Sequence, residues 1–219
     1  MRVLALDSAL ARCAAAIVVD DQLIAARQAT ATQGHAALLP VMASEVLAEA
    51  DANAGLLGLV AVTVGPGSFT GIRASLALAH GIALAAGVPI VGVTVGEALA
   101  DSLPHLGERT LWSAIDSRRG RIFLERDGTI TACMLDGLPK PQTRVAVAGD
   151  AAVAVAARLA AWDVDVMLTD ARVPLPRHVA IVGMRRFMGE LPPLSAQPIY
   201  VDPPEARLPA GGLRPPPVA

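Results

Sequence analysis

The sequence predicts a duplicated α/β fold of two lobes, each built on a mixed sheet flanked by helices. Within residues 3–28, three short apolar runs are separated by tight turns, which is typical of an antiparallel meander. Residues 59–93 follow the pattern strand, helix, strand, which indicates a parallel βαβ unit. A strand that ends in Asp-Ser occurs twice, at Asp7-Ser8 and at Asp116-Ser117. This repeat predicts that the same unit is present twice.

Each predicted element rests on its apolar spacing and on the residues that end it. Pro40 is expected in the first turn of its helix, because a proline further along would interrupt it. Gly87 is expected to end the next helix. After residue 125 the pattern becomes irregular, so the second copy is predicted to be degenerate. The predicted strands are residues 3–7, 13–19, 23–28, 59–64, 89–93, 111–117, 121–125 and 144–148, and the predicted helices are residues 36–50, 70–86, 95–102, 151–161 and 178–189.

Proline and glycine near residue 106 predict the boundary between two domains. Residues 1–106 form the predicted N-terminal domain, and residues 107–202 form the predicted second, degenerate domain. Residues 203–219 are rich in proline and glycine, and this composition predicts a disordered tail.

Composition limits the classes of function. Of the 219 residues 53% are hydrophobic, yet Gly, Pro or a charge interrupts every stretch long enough to span a bilayer. Because the N-terminus also lacks the pattern of a secretory signal, we expect a cytoplasmic protein that does not enter a membrane. The net charge is −2 and no basic stripe is present, so tight independent binding of nucleic acid is not expected. Cys13 and Cys133 are expected to be buried free thiols, and no spacing typical of metal ligands is present.

Residues 64–73, VGPGSFTGIR, form a glycine-rich turn between a predicted strand and helix. Such a turn can hold a phosphate on backbone N–H groups, which makes Gly65, Gly67 and Ser68 candidate nucleotide-binding residues. The Lys and Ser/Thr of a Walker loop are absent after Gly71, and the spacing of the serine is not that of a nucleophile elbow. The simpler interpretation is a tight turn in which Ser68 caps the helix.

Asp7 and Ser8 are the other candidates for binding a nucleotide. A carboxylate at the end of a first strand, followed by a small hydroxyl residue, lies where actin-like folds and sugar kinases meet the magnesium and phosphates of ATP. The turn at residues 9–12 has no glycine that would let phosphate oxygens approach the backbone. Two interpretations stay open: Asp7 caps the strand end, or the chain is an actin-like small-molecule kinase or ATPase that uses Asp7 and the loop of residues 65–71.

The helix predicted after this loop is apolar nearly all round and rich in small residues. A single sheet covers only one side of such a helix. The rest is therefore covered by the helix of residues 36–50 or offered to another protein chain.

Three stretches of the sequence resemble the TsaB (YeaZ) family. They are GPGSFTGIR at residues 65–73, the strand pair that contains LALDSALARC, and the segment PIYV at residues 198–201. The resemblance implies an actin-like (ASKHA, RNase H-like) fold. It also implies a non-catalytic dimerisation subunit in the synthesis of threonylcarbamoyladenosine, next to the anticodon of tRNAs that read ANN codons. An older reading of such proteins as glycoproteases is not favoured, since no pairing of a nucleophile with a base is visible.

The resemblance also implies the partners of the chain. These are the catalytic subunit TsaD, the ATPase TsaE and, when the chain is alone, a second copy of itself, while tRNA is reached only through the complex. No intrinsic cofactor is implied, and any ATP would act at the level of the complex. Val95 and Leu99 stand where TsaD carries its metal-binding histidine pair. Arg118 and Arg119 are either partner contacts or part of a solvated loop. The predicted partner interface lies on the helices of residues 36–50 and 70–86, with Leu39, Met42, Ala74, Leu78 and Ile82 as contacts.

Overall fold

The computed structural model describes residues 1–30, 34–103 and 105–201, and it contains two five-stranded sheets. The predicted disordered tail lies outside these residues. The first sheet contains β1 (Arg2–Leu10), β2 (Arg12–Val19), β3 (Gln22–Thr30), β4 (Leu59–Gly65) and β5 (Ile90–Thr94). The second contains β6 (Thr110–Asp116), β7 (Ile122–Arg126), β8 (Thr129–Cys133), β9 (Val145–Ala148) and β10 (Val166–Leu168).

The two sheets have the same topology. The first has the order β3-β2-β1-β4-β5, and the second has the corresponding order β8-β7-β6-β9-β10. In each, the first three strands pair antiparallel and the central strand pairs parallel with the fourth. The predicted meander, the parallel βαβ unit and the duplicated actin-like fold class are therefore confirmed.

Within the described part of the chain, five helices cover the sheets: α1 (His35–Glu49), α2 (Phe69–Ala86), α3 (Val95–Asp101), α4 (Ala152–Ala160) and α5 (Pro176–Phe187). Helices α1 and α2 lie side by side and pack against strands of the first sheet. The residues of β1 and β4 that face the other way pack against α5. Helix α4 covers the second sheet. Between β8 and β9, where the first lobe has α1, the second has only a 3-10 turn at Leu135–Gly137. The second copy is thus reduced in its helices, whereas its five strands are all present.

Three sequence expectations need correction. Strands β8 and β10 were not predicted, because both are short edge strands whose residues are half-buried or exposed, and β10, although apolar, is only three residues long. Pro40 lies in the second turn of α1 rather than the first, because the helix already begins at His35, after Gly34 in the left-handed conformation. Cys133 is only half-buried, whereas Cys13 is a buried free thiol as expected.

Helix α5 belongs to the predicted second domain in sequence but packs on the first sheet. Gly183 permits the close approach, since a Cβ at this position would lie 2.5 Å from the Cβ of Ala61. Val179 and Ala180 are fully buried beside β1 and β4. The boundary near residue 106 stays a prediction, and the chain crosses back to the first lobe after β10.

Helix α2 is, among the described residues, the one helix long and apolar enough by composition to cross a membrane. Its residues Leu76, Ala79 and Ala83 are buried against the first sheet, and it carries Arg73 near its start. Helix α2 therefore packs with one side on the first sheet, while the cytoplasmic location stays a prediction.

Candidate functional site

The glycine-rich loop joins β4 to α2 as a capped turn. Ser68 is the N-cap residue of α2, and its Oγ accepts a hydrogen bond from the amide of Gly71 at 3.2 Å. At the other end, Gly87 adopts the left-handed conformation and ends the helix. The predictions that Ser68 caps the helix and that Gly87 ends it are therefore confirmed.

The loop packs directly on the end of β1. The amide of Ser68 donates to the carbonyl of Ala9 at 2.6 Å. The hydroxyl of Ser8 donates to the carbonyl of Gly71, also at 2.6 Å. A Cβ added at Gly67 would overlap the carbonyl group of Ala9, so glycine is required here by close approach. The Ser8 hydroxyl and the Ala9 carbonyl thus bond to the loop, while nucleotide binding at these residues stays a prediction.

Asp7 is fully buried at the end of β1. Its Oδ1 accepts hydrogen bonds from the hydroxyl of Thr63 at 2.6 Å and from the amide of Ala9 at 3.1 Å. Arg12 follows across the turn and donates to the carbonyl of Pro174 at 2.5 Å. Burial lowers the pKa of Arg12, and the charge of Asp7 opposes that change. These bonds give Asp7 a structural role that ties β1 to β4.

The second Asp-Ser turn is more exposed than the first, and hydrogen bonds within the turn stabilise it. Asp116 accepts a hydrogen bond from the amide of Arg118 at 2.8 Å, and Ser117 accepts one from the amide of Arg119 at 3.2 Å. The guanidinium of Arg118 lies 3.4 Å from Asp150, whose pKa is raised by burial. Arg118 therefore stabilises its own turn, although its side chain stays 60% exposed.

The apolar stripe of α1 faces the first sheet. Leu39 and Met42 are only 1% and 8% exposed, so these two predicted interface residues are core residues. The exposed apolar side chains of α1 are instead Leu38 and Val41, at 39% and 56%. The spacing that identified the helix therefore marks its buried side, and its exposed apolar residues lie one position away from the predicted ones.

Helix α2 leaves a second apolar strip uncovered beside α1. The predicted contacts Ala74, Leu78 and Ile82 are half-buried at the flank of the helix. Leu84 is 85% exposed. We use the name outer face for five of the exposed residues of the two helices, which are Leu38, Val41, Ala77, Gly81 and Leu84.

Val95 and Leu99 are fully buried apolar residues at the start and middle of α3. They pack in the core that contains the first sheet and part of the second. Among the residues that the structure describes, no three His, Cys, Asp or Glu side chains come together as a metal-binding group. The positions that the resemblance aligned with histidine ligands therefore serve packing.

Two of the stretches that carried the resemblance meet in space. The amide of Ile199 donates to the carbonyl of Val64 at 2.9 Å, directly before the glycine loop. The guanidinium of Arg73 lies 3.2 Å from the centre of the Phe69 ring and donates to the hydroxyl of Tyr200 at 2.6 Å. The segment of residues 198–201 thus holds the first turn of α2 from outside.

A cleft of about 480 Å³ lies between the two lobes. Its walls come from the start of α3, from β6 to β8, and from the segment around Pro192 and Ile199. Glu125, a wall residue on β7 that is only 8% exposed, is not among the residues predicted from the sequence. The signal was present, because a carboxylate next to the apolar run of residues 122–124 is unusual in a buried strand.

Comparison with known proteins agrees with these features. Residues 25–181 match the family described as TsaD, tRNA N6-adenosine threonylcarbamoyltransferase. The chain is 31% identical to the tRNA threonylcarbamoyladenosine biosynthesis protein TsaB of Escherichia coli, over 56% of this chain and 53% of that protein. The chain spans about half the length of the curated relatives it matches.

Two solved structures from Pseudomonas aeruginosa share the fold. YeaZ has a TM-score of 0.73 at 22% identity, covering 91% of this chain and 99% of that one. A protein described as similar to peptidase YEAZ has a TM-score of 0.76 at 21% identity, covering 92% and 99%. The family match over most of the sequence shows that the chain belongs to the family described as TsaD, and the curated TsaB relatives place it in the TsaB (YeaZ) group of that family.

Proposed function

We propose that this chain acts in the biosynthesis of threonylcarbamoyladenosine in tRNA, as a non-catalytic subunit that binds and activates TsaD. The observation that carries the proposal is the outer face of α1 and α2. Leu38, Val41 and Leu84 expose between 39% and 85% of their surface on two neighbouring helices. Isolated exposed apolar residues are ordinary, but a strip of them across adjacent helices is typical of a protein interface.

The shape of the outer face suits helix packing. Ala77 and Gly81 lie one turn apart on α2 and are exposed, so a partner helix can approach the backbone closely. We infer that TsaD contributes a helix pair to this face, which would form a small bundle with α1 and α2. A second copy of the chain offers the same face, so the self-dimer and the complex with TsaD would exclude each other.

The contacts of the sequence motifs support a role without catalysis. Ser68 caps a helix, the Ser8 hydroxyl binds a carbonyl, and Asp7 joins two strands. Each of these candidate groups already serves the fold. In this proposal TsaE, ATP and tRNA act on the complex and not on this chain alone.

The test is tRNA modification in a system reconstituted with TsaD, TsaE and this chain. Val41→Asp places a charge on the outer face, and Val153→Asp is the matched control, because Val153 on α4 is 58% exposed and Val41 is 56% exposed. Burying an unpaired carboxylate at an interface should weaken binding by about tenfold or more. We expect Val41→Asp to lose modification and Val153→Asp to retain it. Modification that proceeds equally well without this chain would refute the proposal.

The alternative function, an actin-like kinase or ATPase, has its own test. It requires ATP and magnesium to bind between Asp7 and the loop of residues 65–71, where Ser68 and Gly67 now contact Ala9. Calorimetry with ATP and magnesium on the wild type and on Asp7→Ala decides the matter. Binding at micromolar affinity that Asp7→Ala abolishes would favour the alternative, whereas we expect no measurable heat.

A further inference from the structure

Glu125 joins the two lobes through a buried polar contact. It extends from β7 of the second sheet toward the start of α3 in the first lobe. Its Oε1 accepts a hydrogen bond from the hydroxyl of Thr94 at 2.5 Å, and its Oε2 accepts one from the amide of Gly96 at 3.0 Å. A side chain of one lobe therefore satisfies the first turn of a helix in the other.

The first turn of α3 is also held from the opposite side. Glu97 closes a capping box by accepting the amide of Thr94 at 2.8 Å, and it forms an ion pair with Arg186 of α5. Arg186 in turn donates to the carbonyls of Gly92 and Pro192, both at 2.7 Å. Helix α3 is therefore fixed to its own lobe, and Glu125 gives this helix a direct polar contact with the second lobe.

Glycine at position 96 is matched to this contact. A Cβ added there would overlap the carboxylate of Glu125. The position lies within a helix, where glycine is unfavourable by up to about 1 kcal/mol relative to alanine. The close approach of the carboxylate therefore requires a residue that the helix itself disfavours.

We propose that Thr94, Gly96 and Glu125 form a latch that holds the two lobes in one fixed orientation and keeps the cleft between them from opening. A buried carboxyl is a costly way to gain stability, and an apolar residue would pack at lower cost. We infer that the Glu125 carboxylate instead fixes the orientation of the lobes. Its two oxygens can accept hydrogen bonds from both Thr94 and Gly96 only in one arrangement of the lobes.

The charged groups around the latch come from three elements. Glu97 of α3 faces Glu125, Arg186 of α5 binds Glu97, and Arg126 and Asp127 follow Glu125 at the end of β7 and line the same cleft. Burial is the main cause that raises the pKa of Glu125 to about 7, and the charge of Glu97 adds to it. The hydrogen bonds from Thr94 and Gly96 oppose this rise, so the latch donors partly stabilise the charged form.

The latch is tested by measuring the distance between the lobes with spin labels. Labels are attached at Ala48→Cys on α1 and Val153→Cys on α4, both exposed positions, in a Cys133→Ala background. Cys13 is buried and stays in place. The distance distribution is then recorded for three further substitutions, each added to the labelled chain. Glu125→Ala removes the carboxylate, and Gly96→Ala displaces it. Leu124→Ala is the matched control, because Leu124 is fully buried in the core on the other side of β7.

We expect Glu125→Ala and Gly96→Ala to raise the population of open molecules by about tenfold or more, the effect of losing hydrogen bonds to a charged group. Leu124→Ala should keep the distribution of the labelled parent although it lowers stability. If Gly96→Ala does not fold, the comparison of Glu125→Ala with Leu124→Ala decides. A distribution for Glu125→Ala that equals that of the parent, or that Leu124→Ala reproduces, would overturn the proposal.

Discussion

The substitution Glu125→Gln should stabilise the protein at alkaline pH and leave its stability nearly unchanged at acidic pH. Glutamine has nearly the same shape as glutamic acid and carries both an acceptor for the Gly96 amide and a donor for the Thr94 oxygen. It cannot ionise, so it removes the cost of a buried carboxylate while it keeps the latch contacts. The prediction therefore isolates the charge of Glu125 from its hydrogen bonds.

The size of the effect follows from the pKa of Glu125, which burial raises from 4.5 to about 7 in the folded protein. Because the folded state holds its proton more tightly than the unfolded state, this group contributes stability that is fully present below pH 4.5. That contribution is lost as the pH rises through about 7. The difference between the two pKa values corresponds to about 3 kcal/mol of unfolding free energy.

Urea unfolding of both proteins at about pH 5 and at about pH 8 measures this difference. The charge on Asp150, whose pKa burial also raises, is present in both proteins and cancels in the comparison. We expect the advantage of Glu125→Gln over the wild type to grow by about 3 kcal/mol between the two pH values. An advantage that stays constant with pH would refute the reasoning, since it would mean that Glu125 does not titrate differently in the folded protein.

Two further predictions concern the glycine-rich loop. Ser68→Ala removes the cap on Gly71 and should lower the free energy of unfolding by about 1 kcal/mol in urea titrations, whereas the exposed Ser44→Ala control should change it by less than about 0.5 kcal/mol. Equal effects of the two substitutions would contradict the capping role. Gly67→Ala should lower the melting temperature more than Ser68→Ala does, because its Cβ overlaps the carbonyl group of Ala9 and the backbone must move. A melting temperature equal to that of the wild type would show that the loop does not press on β1.

The duplicated fold was predictable because its signals are local and repeated. The Asp-Ser strand ends and the apolar runs mark the central strands of both sheets, which are buried and therefore strongly patterned. The edge strands β8 and β10 are short and only partly buried, so neither forms an apolar run long enough to predict a strand. The return of α5 to the first sheet depends on a close contact between Gly183 and Ala61, which are far apart in the sequence.

The candidate surfaces were predicted only in part, for a physical reason. The stripe of Leu39 and Met42 identifies α1 as a helix because those residues are buried, and the same burial removes them from a partner's reach. Exposed apolar residues such as Val41 do not fit the helical spacing of the buried residues. Their position on a separate surface can be recognised only once the sheet shows which side of the helix is buried. Glu125 could be flagged as unusual in its strand, but its partners Thr94 and Gly96 lie about thirty residues away and belong to the other lobe.

Light-scattering chromatography of this chain mixed with TsaD from the same organism is the most direct test of the proposed interaction. We expect one stoichiometric complex for the wild type and for Val153→Asp, and separate elution for Val41→Asp. Separate elution of the wild type and TsaD would contradict the proposed function. A complex that Val41→Asp leaves intact would contradict the assignment of the outer face.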